Sequence, residues 1–184
     1  MSEIIDRYEI GNFYMPKVTH TSKTFSDMID SLQKKNLKIN TARAGKVIVD
    51  DGGIYAEFLS PTKDKYEDLN NYSSAVRLSY KGKAVLLCGD IEREVEDEIL
   101  NSGAELQADV LKVAHHGSST SSSKKFLDSV NCRYALISCG KNNDYGHPHK
   151  EVINRLKKMP CEIYNTSVNG DVLFIINDDI NIEY

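Results

Sequence analysis

The spacing of apolar positions changes twice along the chain. Asn12 to Met15 reads as a short strand, and then Phe25, Met28, Ile29 and Leu32 recur at helical spacing behind Ser22 or Thr24, either of which suits a helix N-cap. From Leu37 the pattern becomes that of strands: Leu37 to Thr41, Lys46 to Val49, the turn Asp50-Asp51-Gly52-Gly53, and Ile54 to Leu59, closed by Pro61. An antiparallel meander is expected there. Thr62 to Tyr72 is polar and reads as a loop. Ser74 to Tyr80 and Lys83 to Leu87 flank Lys81-Gly82, a hairpin signal.

In the second half, strands and helices alternate. The strand ending at Leu87 runs into Cys88-Gly89-Asp90, and an acidic helix, Glu92 to Asn101, follows. The apolar strand Asp109 to Ala114 opens into the loop His115-His116-Gly117-Ser118. Helix Lys124 to Val130, strand Tyr134 to Ser138, and a loop ending in Tyr145-Gly146-His147-Pro148-His149 come next. Helix Lys150 to Lys158, strand Cys161 to Thr166, the turn Asn169-Gly170 and strand Asp171 to Ile176 complete the pattern. Such an order predicts a layered α/β sheet structure. No internal repeat or linker interrupts it, so a single domain over residues 1–184 is expected.

Composition narrows the classes. The chain has 184 residues, 40% of them hydrophobic, enough for one core. Its 23 basic and 27 acidic residues give a net charge of -4 and form no block, so there is no basic footprint for nucleic acid. Nucleic acid stays open as a substrate, because metal ions can carry phosphate contacts. Cys88, Cys132, Cys139 and Cys161 form no Cys-x-x-Cys pair and lie in or beside strand-like runs, which predicts buried, reduced thiols. No apolar stretch approaches the roughly 20 residues that span a bilayer, and the opening is not a signal peptide. A soluble, cytoplasmic chain is expected, with an exported or membrane-linked parent if Met1 lies inside a longer domain.

Candidate chemistry sits in three loops. Asp90 ends an apolar strand after a glycine, where a carboxylate is held rigidly enough to ligate a cation; the plainer reading is a cap for the helix near Glu92. His115-His116 offers two imidazoles at a strand mouth, or simply a surface pair. Adjacent residues of an extended chain point to opposite sides, so both can serve one site only if the backbone turns there. His147-Pro148-His149 has a common ligand spacing, with proline stiffening the loop and suited to the first turn of the next helix. Four of the five histidines fall in two of these loops, which favours a joint metal or acid–base site over scattered surface rings. Ser118 invites a nucleophile reading with His116 as base, but it lies in a run of Ser and Thr where any hydroxyl can be a cap. His20 stands alone before the first long helix and reads as a surface or capping residue.

The strings Leu86-Leu87-Cys88-Gly89-Asp90, Ala108 through Ser118 with its His-His-Gly-Ser, and Ile137-Ser138 through Tyr145-Gly146-His147-Pro148-His149 resemble one family. They are similar to the metallo-β-lactamase-fold hydrolases related to the C-terminal domain of the bacterial competence DNA-uptake channel. The likeness runs in order from about Asn70 to Gly170 and includes Asn71-Tyr72-Ser73. It implies an αββα sandwich that binds divalent metal, zinc first and manganese or iron as alternatives. It also implies Asp90 as a bridging ligand and either His115 or His116 as a second. The other imidazole of that pair would face substrate, giving His116 a place among the catalytic candidates, while His147 and His149 border the same cleft.

The family's His-x-His-x-Asp-His motif is absent, and no histidine precedes His20. Ile4 to Asp27 resembles the stretch after that motif, so a fold lacking its N-terminal portion is expected, with open edges that favour self-association. In complete enzymes the metals lower the pKa of bound water from about 15.7 toward about 7 for attack on an ester or phosphoester. Asp90 and one histidine fall short of the three protein ligands usual in a catalytic zinc site. Two functions follow: a hydrolase of esters, phosphoesters or nucleic-acid phosphodiesters, inactive as this chain; or a non-catalytic binding module that keeps the fold. A third, weaker reading has Asp90, His115, His116, His147 and His149 converging on a metal without the usual cluster.

Overall fold

The computed structural model describes residues 1–184, which divide into two compact units, Met1–Ala42 and Arg43–Tyr184. In the first, helix α1 (Ser2–Arg7) packs with helix α2 (Lys23–Lys34), burying Ile5 and Leu32. Ser22 caps α2 by accepting from the Phe25 N–H, and His20 Nδ1 accepts from the Ser22 N–H, the capping role expected of it. Strand β1 (Phe13–Met15) pairs in parallel with β2 (Ile39–Thr41). The meander expected from Leu37 onward therefore loses its first strand: Ile39–Thr41 belongs with β1 in this unit. Neither α1 nor this long-range pairing was visible in the periodicity, because six residues are too few to show a helical stripe.

The second unit is built on a seven-stranded sheet in sequence order: β3 (Val47–Asp51), β4 (Ile54–Phe58), β5 (Val76–Tyr80), β6 (Lys83–Leu87), β7 (Val110–Lys112), β8 (Tyr134–Ile137) and β9 (Glu162–Asn165). The first four are antiparallel neighbours; from β6 onward every pair is parallel. Parallel neighbours need crossovers, and helices α3 (Arg93–Ser102), α4 (Lys124–Val130) and α5 (Lys150–Leu156) supply them. Their apolar stripes pack on one face of the sheet. Val95 and Ile99, Phe126 and Leu127, and Val152 and Leu156 share one core with Ala84, Leu86, Leu111, Ala135 and Ile137. After the short helix α6 (Thr166–Asn169), strands β10 (Leu173–Ile176) and β11 (Ile180–Glu183) form a hairpin. Its Phe174, Ile180 and Ile182 pack on Val110, Tyr134 and Tyr164.

The layers of this unit are thus helices, a large sheet and a second sheet of two strands, as expected of an αββα sandwich that lacks its N-terminal portion. Strand β11 was missed, although Ile180 and Ile182 alternate with Asn181 and Glu183. Pro148 precedes the His149 N-cap of α5 and so lies outside that helix's first turn. Cys88 and Cys132 are buried, Cys139 and Cys161 only partly so, and all four are free thiols. Burial raises the Cys88 thiol and pushes Cys132 up to about 12, so both remain protonated. No helix is long and apolar enough to cross a membrane.

Candidate metal-binding and hydrolytic site

Parallel strands β6, β7 and β8 all point their C-terminal ends the same way, and in open α/β sheets that end is where ligands bind. The three loops leaving them carry Asp90, His115-His116 and the 138–149 segment. Backbone hydrogen bonds join them: the His115 N–H donates to Gly89 O at 2.9 Å and the His149 N–H to Gly117 O at 2.9 Å.

Asp90 does not cap α3, whose N-cap is Glu92. Its own N–H donates to Ser73 Oγ at 3.1 Å, and the Glu92 N–H donates to the buried Asn71 Oδ1 at 3.0 Å. Asn71-Tyr72-Ser73 thus pins the loop from below. Gly89 has φ +55, and a Cβ there would sit 3.1 Å from Ser73 Cβ, so the tight approach that seats Asp90 requires glycine.

The backbone turns at both histidines, with φ 47 at His115 and φ 54 at His116. Two consecutive left-handed residues that are not glycine store roughly 1–3 kcal/mol each, the kind of strain found at functional sites. The turn brings both rings to one region: centroids lie 5.6 Å from His115 to His147, 6.3 Å from His116 to His147 and 4.8 Å from His147 to His149.

The two rings then part company. His116 Nε2 faces Asp90 Oδ1 at 3.5 Å, while its Nδ1 lies 2.6 Å from Ser138 O. A carbonyl only accepts, so Nδ1 carries the proton and the Nε2 lone pair is turned toward Asp90 in the neutral ring. His115 Nδ1 instead lies 3.4 Å from Glu92 Oε1, which also accepts from Thr120 Oγ1 at 2.8 Å. Glu92 is a site residue that sequence reading took only for the start of a helix. Its position two residues after Asp90 was the available signal.

His149 commits both nitrogens to the loops: Nδ1 accepts from the Ser119 N–H at 2.9 Å, which leaves Nε2 to donate to Tyr145 O at 3.2 Å. His147 makes no hydrogen bond through its ring. Burial, then His149, His115 and His116, hold His147 below the ordinary imidazole value, and Asp90 pulls it back up. Lys112, at the end of β7, donates to Val113 O at 2.8 Å, and burial holds its ammonium below the usual lysine value. Ser118 is buried with its Oγ on Thr120 Oγ1 at 3.0 Å, and both His116 nitrogens face elsewhere, so no Ser–His pair exists.

Beneath the loop 117–123 lies Glu96, fully buried, accepting from the Ser122 N–H and, at 2.9 Å, from the Ser123 N–H at the start of α4. Burial raises its carboxyl above the usual carboxylate range, against the pull of those donors.

The donor set fits a metal only in part. A tetrahedral ion with bonds of 2.0–2.1 Å has ligand atoms roughly 3.3 Å apart. The 3.5 Å between Asp90 and His116 is close to that edge and too long for an imidazolium–carboxylate hydrogen bond. Yet no group of three His, Cys, Asp or Glu side chains is placed to hold a metal ion. The five-residue convergence on one ion, the weakest of the readings above, is therefore not what the geometry shows.

Comparison with known proteins agrees with this layout. ComE operon protein 3 of Bacillus subtilis (strain 168) is 28% identical over 172 residues, 93% of this chain and 22% of that protein. Competence protein ComA of Neisseria gonorrhoeae is 37% identical over 66% of this chain and 18% of its own length. Recombination protein 2 of Haemophilus influenzae is 34% identical over 65% and 15%. The chain thus spans 15–22% of the length of these relatives. The family model of the metallo-β-lactamase superfamily matches residues 3–141, most of the chain and the stretch that carries Asp90 and both histidines of the 115–116 turn. This chain belongs to the metallo-β-lactamase superfamily and has its mixed α/β fold around a large central sheet.

Proposed function

We propose that this chain carries the Asp90 and His116 ligands of a metal-dependent hydrolase acting on ester or phosphoester bonds, nucleic-acid phosphodiesters among them. The observation that carries the reading is the Asp90 Oδ1–His116 Nε2 pair at 3.5 Å, with Nδ1 anchored on Ser138 O. A divalent ion there, zinc first by its ligand chemistry and manganese or iron as alternatives, would supply an activated water and polarise the bond to be cut. Asp90 and His116 would hold it. His147, whose ring makes no hydrogen bond to the protein, is the imidazole free to pass a proton to or from substrate. His115 is kept on Glu92 and Thr120 at the cleft wall, and His149 positions the loop. Competence and recombination, in the names of the relatives, favour nucleic acid as the substrate class.

Two ligands hold zinc weakly, so turnover by this chain should be low and should depend on added metal. The test is hydrolysis of bis-p-nitrophenyl phosphate with added zinc or manganese. Metal-dependent turnover that Asp90→Ala and His116→Ala abolish supports the reading; turnover indifferent to both substitutions contradicts it. The lack of any three-residue metal-holding group favours a second reading, a non-catalytic binding module. No turnover at any metal concentration would favour that one instead.

A further inference from the structure

Tyr145 stands 79% exposed at the mouth of the candidate site. An aromatic ring so exposed contributes little to folding, yet its loop is closely fixed. Asn143 accepts from the His147 N–H at 3.0 Å and donates to Gly140 O at 3.0 Å and His147 O at 2.7 Å. Tyr145 O itself accepts from His149 Nε2. The ring lies nearly parallel to His147, 18° between planes and 5.7 Å between centroids, and His147 lies nearly parallel to His116 at 20° and 6.3 Å. Three rings thus form a ladder that runs from solvent to the imidazole facing Asp90. Beside it opens a cavity of about 340 Å³ lined by His116, Cys139, Gly140, Asn143, Tyr145 and Thr166.

We propose that Tyr145 is a stacking platform for a nucleobase of single-stranded nucleic acid, seating the strand so that its phosphate reaches Asp90 and His116. The proposal rests on the phosphodiester reading above and names its substrate as single-stranded. A ladder of near-parallel rings with one open outer face accepts another flat ring, and every base offers one. A paired duplex hides its base faces. Of the cavity's polar groups, Asn143 is spent on its own loop and Thr166 Oγ1 donates to Cys139 O while accepting from the Cys139 N–H, both at 3.0 Å, which leaves mainly the His147 ring. Little remains to read base edges, so recognition is tolerant of sequence. The net charge of -4 points the same way, toward stacking rather than phosphate charge as the source of affinity.

The test is fluorescence anisotropy of the full chain with a labelled 12-nucleotide thymidine oligomer, an abasic oligomer of the same length, and a blunt duplex, all in chelator so that no strand is cut. Tyr145→Ala should weaken the thymidine oligomer by about 5- to 150-fold and Tyr145→Phe should restore it, matching about 1–3 kcal/mol per stacked base. The abasic strand and the duplex should bind poorly, and alike, to wild type and Tyr145→Ala. Equal thymidine-oligomer affinity for wild type and Tyr145→Ala, equal loss on the abasic strand, or no binding by wild type overturns the proposal. Because binding is read without metal, base-dependent binding with no phosphodiester turnover would leave the platform standing while the hydrolase reading fails.

Discussion

At the scale of single residues, the candidate site depends on groups that never face substrate. Glu96 is the clearest case, holding two backbone N–H groups of the loop behind His115 and His116. Glu96→Ala leaves both donors buried without a partner and should cost roughly 2–5 kcal/mol, read by urea unfolding. Its raised carboxyl gives a signed pH effect. The folded chain binds the proton more tightly than the unfolded one, so this contribution to stability falls as pH rises from the ordinary carboxylate value, 4.5, through the raised one. Across that window the melting temperature of wild type should fall relative to that of Glu96→Gln, which cannot titrate there, as pH rises. Nothing in the sequence marked Glu96, because its partners lie about 26 residues away and only the folded turn brings them close. Asp90, His115, His116, His147 and His149 were legible, since four rings and a carboxylate in three post-strand loops form a pattern that distance in sequence does not hide. Which ring of the 115–116 pair faces Asp90 was not legible, because left-handed backbone at both residues sets it.

Among the elements, the crossovers of the second unit were the most readable part of the fold. Helix α4 falls where its apolar spacing put it, and β5 and β6 flank a Lys81-Gly82 turn whose φ values of 50 and 74 suit the hairpin signal. The parallel pairing of β1 with β2 was not readable, since pairing between distant segments leaves no local periodicity. The loops meet at one close approach that depends on glycine. Gly117 has φ +83, and a Cβ there would lie 2.7 Å from Pro148 Cβ and 3.2 Å from Pro148 Cα. Gly117→Ala should therefore cost about 2–4 kcal/mol and push the His147 loop away from His115 and His116. Chemical denaturation together with histidine ring NMR shifts would check it; wild-type stability with unmoved shifts would mean that the contact is slack.

For the whole molecule, family membership and the large sheet carry the fold, while the second layer is thin. The aromatic contact of Phe174 with Tyr134 and Tyr164, at 5.9 and 5.8 Å between centroids, fastens the β10–β11 hairpin to the sheet. Phe174→Ala should lower stability by about 2 kcal/mol or more, and the hairpin amides should lose hydrogen-exchange protection before those of β6 to β8.

Asp90 and His116, and not His115, are the proposed metal ligands, and calorimetric zinc titration of the chain and its single variants decides that assignment. Wild type should bind zinc weakly, Asp90→Ala and His116→Ala should each lose about tenfold or more in affinity, and His115→Ala should keep the wild-type affinity. Zinc affinity that survives His116→Ala but is lost in His115→Ala, or that is indifferent to Asp90→Ala, would contradict it.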